Sequence, residues 1–142
     1  SDNRDECLVP SDYKLITDDL LHKEFIKRLK IDTKCRIIID SCHSGTIFDL
    51  QYLNNKDTEK NKIFSDIIVI SGCRDKQYSY ETFFKNKTFG VLTYNLNNII
   101  DQNYNLSDMY MVINEKMSEQ EFKQNMMITS SKKIINKRFM FL

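Results

Sequence analysis

An α/β fold, with a mostly parallel sheet flanked by helices, is predicted by three features of the 142-residue chain. Residues 35–41 and 66–71 are continuous β-branched runs rather than alternating ones, the pattern of strands covered on both faces. Amphipathic stretches precede the first run and follow the second. Hydrophobic residues make up 41% and charged residues 29%, an ordinary globular composition for a single domain able to bury a core.

The elements follow in order. Residues 1–16 read as an irregular opening segment punctuated by Pro10. Thr17 stands where an N-cap belongs, with Asp18 and Asp19 in the first turn behind it. Leu21, Phe25 and Leu29 recur every four residues, and Lys23, Lys27, Arg28 and Lys30 fill the other side, so a helix is expected over 18–30. The first strand follows at 35–41. Residues 51–62 are polar and read as a surface loop, the most cleavable stretch of the chain. After the second strand, a polar loop is expected to about 87, then a helix over 89–101 using Leu92, Leu96, Ile99 and Ile100. Ser107 is read as the N-cap of another helix that turns Met109, Val112, Ile113 and Met117 inward. A last strand is expected at 139–142.

Charge excludes some classes of partner. Lys and Arg number 21 against 20 Asp and Glu, a net charge of +1, which removes the global argument for nucleic acid or a membrane surface. No apolar run is long enough to cross a membrane, and no signal peptide opens the chain, whose first residue is Ser1. The four cysteines, Cys7, Cys35, Cys42 and Cys73, form no Cys-x-x-Cys pair and read as reduced thiols of a cytoplasmic protein.

The chemistry concentrates in Asp40-Ser41-Cys42-His43-Ser44-Gly45, at the carboxyl end of the first strand. Ligands and reacting groups gather at that end of the strands in open α/β sheets. A thiol there can act as a nucleophile once a base takes its proton, since a free thiol of pKa about 8.5 is only a few per cent ionised at neutral pH. The plainer reading makes Cys42 a small residue in a tight turn. A phosphatase loop is rejected, because Phe48 stands where an Arg would hold the phosphate. Asp40 lies two residues before Cys42, which returns its side chain to the same face of an extended chain. Alone, it also fits a strand-end carboxylate bonding loop amides.

The hexapeptide resembles the nucleophile motif of metacaspases, the caspase-like cysteine peptidases. Four further blocks resemble that family in order. They are Asp5-Glu6-Cys7-Leu8-Val9-Pro10-Ser11-Asp12, then Ile16-Thr17-Asp18-Asp19-Leu20, then Ile70-Ser71-Gly72-Cys73-Arg74-Asp75-Lys76-Gln77-Tyr78-Ser79, then Gly90-Val91-Leu92-Thr93-Tyr94. Ile128-Thr129-Ser130-Ser131 sits where the family has its Gln-Leu-Ser-Ser stretch, and Tyr80-Glu81 departs from the usual Ala-Asp.

The resemblance implies a caspase-like fold and a single domain that is incomplete, with its N-terminal strands missing. Residues 1–50 would close the large-subunit region, 51–62 would be the loop, and 63–142 the small-subunit region. It implies Cys42 as catalytic nucleophile and Asp40 as the pocket carboxylate for the Arg or Lys before the cut bond. For Arg that pairing is expected to be bidentate. It further implies activation by calcium, with Asp2, Asp18, Asp19 and Asp49 as ligands; Asp18 and Asp19 alone are equally explained by the helix N-terminus. The family's catalytic His lies upstream of the first matching block. His43 is the motif His and His22 lies on the helix, so the expected partners are a basic protein or peptide substrate and the missing N-terminal segment. A non-catalytic caspase-like module that binds or regulates a partner is the alternative.

Overall fold

The computed structural model describes residues 6–58, 62–74, 77–84, 86–134 and 137–139. Two short strands come first, β1 (Cys7–Leu8) and β2 (Ile16–Thr17), paired antiparallel. Helix α1 (Asp18–Glu24) starts on the expected cap, the Thr17 hydroxyl accepting from the Leu20 N–H at 3.3 Å. It ends six residues earlier than the sequence spacing suggests. Its continuation, Ile26–Arg28, tightens into a 3₁₀ turn that puts Ile26 in the core.

The remaining strands are β3 (Lys34–Ile39), β4 (Tyr52–Leu53), β5 (Lys56–Asp57), β6 (Asp66–Ser71), β7 (Glu81–Phe84), β8 (Lys87–Gly90) and β9 (Met127–Ser130). Helices α2 (Val91–Asn97) and α3 (Leu106–Glu119) lie between β8 and β9. The main sheet has the order β3-β6-β9-β4-β5. Among the described residues only β3 and β6 run parallel, from Lys34 opposite Asp66 to Ile39 opposite Ser71. The α/β class holds, but the sheet is mixed rather than mostly parallel.

The two-sided burial expected of both apolar runs is found in β6, whereas β3 buries one face and leaves Ile38 exposed on the other. Ile68 and Ile70 face the core beneath α2 and α3, with Leu92, Leu96, Ile113 and Met117. Ile67 and Val69 face the opposite core, with Ile26, Ile47, Phe48 and Leu50. All four β6 side chains are at most 1% exposed. At about 1.5–3 kcal/mol per buried aliphatic side chain, this strand anchors both layers.

Several sequence expectations are corrected. The stretch read as a loop at 51–62 contains the β4–β5 hairpin, whose turn residues Asn54 and Asn55 take positive φ of 46° and 65°. Two left-handed residues are what a tight hairpin requires, and Asn tolerates them. The loop expected to about 87 contains the β7–β8 hairpin. Phe89 and Gly90 belong to β8, so α2 is shorter than the predicted helix. The cap of α3 is Asn105, whose Oδ1 accepts from the Ser107 and Asp108 N–H groups, not Ser107 itself. The last strand is β9, not the tail; Phe139 is not in a strand, and 140–142 lie outside the described residues. Among the described residues no helix is long and apolar enough to cross a membrane.

An ionic knot fastens the start of the parallel pair. Arg36 donates to the Asp66 carbonyl at 2.8 Å and, through Nε, to the Phe139 carbonyl at 3.0 Å. Lys137 Nζ lies 3.1 Å from both Asp66 carboxylate oxygens. Burial pushes the Asp66 carboxyl up, but the Lys137 hydrogen bond and the Arg36 and Lys137 charges outweigh it and leave it below its ordinary value. A depressed carboxyl contributes stability that is complete above its unfolded pKa, about 3.9, and is lost as pH falls through the lower folded value. Urea titrations should therefore show Asp66→Asn less stable at pH 7 and less sensitive to acid below about pH 4 than the parent. Equal acid sensitivity would remove Asp66 from this role.

Candidate active site

The chain leaves β3 at Ile39 and turns sharply. Gly72 N–H donates to the Ile39 carbonyl at 2.8 Å, so β6 and β3 end together and their following loops emerge side by side. The turn after Asp40 is held internally by the Ser44 hydroxyl, which donates to the Ser41 carbonyl at 2.8 Å. Cys73, fully buried, sits behind the same turn with Sγ 3.3 Å from the Ser41 carbonyl and 3.4 Å from that of Gln77. Ser44 and Gly45 are buried, whereas Cys42 and His43 are exposed at the crest.

Cys42 Sγ accepts from the Ser79 N–H at 3.2 Å. The same residue's hydroxyl donates to Asp40 Oδ1 at 2.7 Å. Asp40 Oδ2 accepts twice from Thr93, from its N–H at 2.9 Å and its hydroxyl at 2.7 Å. Three segments distant in sequence thus converge on one carboxylate: the end of β3, the loop before β7 and the first turn of α2. Two glycines make room. A Cβ on Gly90 would stand 2.0 Å from Asp40 Oδ2, and one on Gly72 would stand 2.8 Å from Oδ1. Asp40 and Cys42 thus meet the same residue, Ser79, but it is the turn after Ile39 rather than strand alternation that brings them together.

The Ser79 loop is itself braced. Buried Gln124 donates to the Gly72 carbonyl at 2.8 Å and accepts from the Tyr80 N–H at 2.7 Å. Gln77 spans from the Arg74 N–H to Asn125 and the Lys123 carbonyl. Ser79 and Thr93 lie inside motif blocks visible in the sequence, without a role legible there. Gln124 carries no sequence signal, because its partners belong to loops about fifty residues away.

The other ionisable groups are placed differently. Burial pushes the half-buried Cys35 thiol up, with Arg36 opposing. His22 Nδ1 lies 3.1 Å from the Phe48 carbonyl, and the His43 ring packs edge-on against Tyr78 with centroids 5.5 Å apart. Among the described residues, the hydrogen bonds of Cys42 Sγ are with Ser79.

The candidate calcium ligands are brought together only in part. Asp18 is 6% exposed and its Oδ1 accepts from the Asp19 N–H at 2.7 Å. Asp19 is exposed, and Asp49 takes a positive φ of 50°. Asp18 and His22 share a helix face, and His22 touches Phe48, so Asp49 follows directly on the residue packed against that face. Asp2 lies outside the described residues. Among the described residues no three His, Cys, Asp or Glu side chains form a group able to hold a metal.

A family model described as Caspase domain matches residues 1–136. The chain is 38% identical to Metacaspase-1 of Plasmodium falciparum over 56% of its length and 15% of that protein. It is 28% identical to Metacaspase-3 of Trypanosoma brucei brucei over 92% of its length and 44% of that protein. Identity to Metacaspase-1 of Lodderomyces elongisporus is 22%, over 99% of this chain and 44% of the relative. The chain thus spans less than half the length of each of these relatives.

Proposed function

Because this chain belongs to the caspase-domain family, as a metacaspase-type domain, we propose that it supplies the nucleophile and the specificity carboxylate of a cysteine endopeptidase cutting after Arg or Lys. The observation that carries this reading is the double engagement of Ser79. Its N–H meets the Cys42 thiol and its hydroxyl meets Asp40, so one residue sets the spacing between attacking sulfur and pocket charge.

In this reading the Cys42 thiolate attacks the carbonyl carbon after the basic residue, and the peptide C–N bond breaks to leave a thioester. Water then hydrolyses the thioester and restores the thiol. A backbone amide at the nucleophile turn stabilises the oxyanion. The proton passes to a His contributed by a preceding segment of the same protein and from it to the leaving amine. His22 and His43 do not serve, being engaged with Phe48 and Tyr78. The isolated chain is accordingly expected to hydrolyse basic peptides little or not at all.

Asp40 provides the test. In the full protein that carries this chain, Asp40→Ala should lower kcat/KM for Arg-ending peptides by at least about thirtyfold, the cost of removing a buried charged partner. An unchanged preference for Arg over neutral residues would take Asp40 out of the pocket. Robust turnover of neutral peptides alone would replace the reading.

Calcium binding is a further part of this proposal. What supports it is the chemistry of the donors: Asp2, Asp18, Asp19 and Asp49 are all carboxylates, the ligand type a hard cation takes, although those among the described residues are not gathered into a metal-holding group. Such an ion would order the loop that follows the nucleophile. The helix has its own cap in Thr17, so capping and metal binding can be separated. Titration calorimetry of the full protein should show calcium uptake that Asp49→Asn weakens about tenfold or more, with an unchanged melting temperature in chelator. Calcium uptake indifferent to Asp49 would exclude it as a ligand.

A further inference from the structure

The bonds that hold Asp40 also decide how it can be used. A carboxylate offers about four acceptor positions, two on each oxygen. Both positions of Oδ2 are taken by Thr93, through N–H at 2.9 Å and Oγ1 at 2.7 Å. Among the described residues Oδ1 takes one donor, the Ser79 hydroxyl at 2.7 Å, and keeps one position. The backbone at Gly90 and Gly72 runs so near the carboxylate that a Cβ on either would meet its oxygens, and its three donors fix which edge it presents. A guanidinium that forks side by side onto a carboxylate needs an acceptor position on each oxygen. Asp40 has one on a single oxygen.

We infer that Thr93 is a specificity-determining residue: by saturating Oδ2 it makes the pocket read positive charge rather than the guanidinium fork, so that Lys and Arg are accepted alike. This rests on the reading of Asp40 as the pocket carboxylate. It also revises the bidentate pairing with Arg expected from the sequence. A lysine ammonium satisfies a single acceptor position as well as an arginine does, because it donates as a point charge. Ser79 has a different part. It fixes the carboxylate through Oδ1, and its removal frees no second oxygen. Thr93 is exposed in the first turn of α2, so its hydroxyl lies where a substrate side chain can reach the carboxylate it guards.

The experiment measures kcat/KM in the full protein that carries this chain, for peptide pairs identical except for a final Arg or Lys. The parent should show an Arg-to-Lys ratio within about threefold of one. Thr93→Val opens one position on Oδ2 and should raise the ratio about tenfold, the effect of one added charge-assisted bond. Thr93→Ser keeps the hydroxyl and should keep the parent ratio. Ser79→Ala should slow both substrates and leave the ratio where it was. A loss of positioning alone would slow Arg and Lys together, so the ratio separates the two roles. A strong Arg preference in the parent overturns the inference without any variant. A ratio unmoved in folded Thr93→Val overturns it while leaving the pocket assignment of Asp40 standing. Failure of the parent to cut after either residue overturns both.

Discussion

Replacing Cys42 with Ala is expected to abolish peptide hydrolysis by the full protein, by a factor on the order of 10⁴ or more, as loss of a covalent nucleophile does elsewhere. The fold should barely notice. Cys42 is exposed, and the substitution removes only the two sulfur contacts with the Ser79 backbone, one with its N–H and one with its carbonyl. No other thiol is placed to substitute. Cys73 is buried behind the turn, burial keeps Cys35 protonated, and Cys7 lies on β1, outside the Asp40 site. The measurement is turnover of an Arg-ending fluorogenic peptide, paired with mass spectrometry of an alkylated active site. The label should sit on Cys42 and disappear in the variant. Appreciable Cys42-independent turnover would disprove the nucleophile assignment. A fully inert parent that still binds basic peptides would favour the non-catalytic module instead.

Gly90→Ala should cost about 2–4 kcal/mol of stability and most of the cleavage after basic residues. Gly90 has an ordinary backbone, φ −61° and ψ 140°, so the penalty is not conformational. It is steric: the new methyl would stand 2.0 Å from Asp40 Oδ2 and 2.6 Å from its Cγ. Either the carboxylate leaves its three donors or the junction of β8 and α2 moves. At Gly72 the corresponding approach is 2.8 Å, and Gly72→Ala should be the milder variant. Chemical denaturation ranks the two. In a double-mutant cycle, Asp40→Ala should recover part of the Gly90→Ala loss, because it removes the atoms that clash. Parent-like stability in Gly90→Ala would mean that the carboxylate is not confined there.

The parts legible in the sequence were those with local causes. The runs at 35–41 and 66–71 declare strands β3 and β6, but only β6 is covered on both faces; β3 packs Cys35, Ile37 and Ile39 inward and carries Lys34, Arg36 and exposed Ile38 on its other face. The Asp40–Cys42 pairing was expected from strand alternation, but the chain turns after Ile39, and the two meet through their shared partner Ser79. What escaped was non-local or disguised. Asn54-Asn55 looks like loop polarity, but it is the turn chemistry of a hairpin that then pairs β4 with β9. The β7–β8 hairpin carries exposed Phe83 and Phe84 and has no buried face to produce a clear alternation. Ser79 and Thr93 stand in recognisable blocks, yet their hydroxyls act on a carboxylate 39 and 53 residues away.

The two margins of the main sheet differ in kind. β5, at one margin, is two exposed charged residues, Lys56 and Asp57, which discourage any further strand. β3, at the other, is six residues long, has Ile38 43% exposed, and among the described residues pairs only with β6. Such a sheet is monovalent. A strand from elsewhere in the same protein uses up its single open line of amides and carbonyls. Two copies meeting about a twofold axis use up each other's. In neither case does the main sheet keep a second adhesive margin among the described residues, so pairing along its edge terminates at one event instead of propagating into a filament.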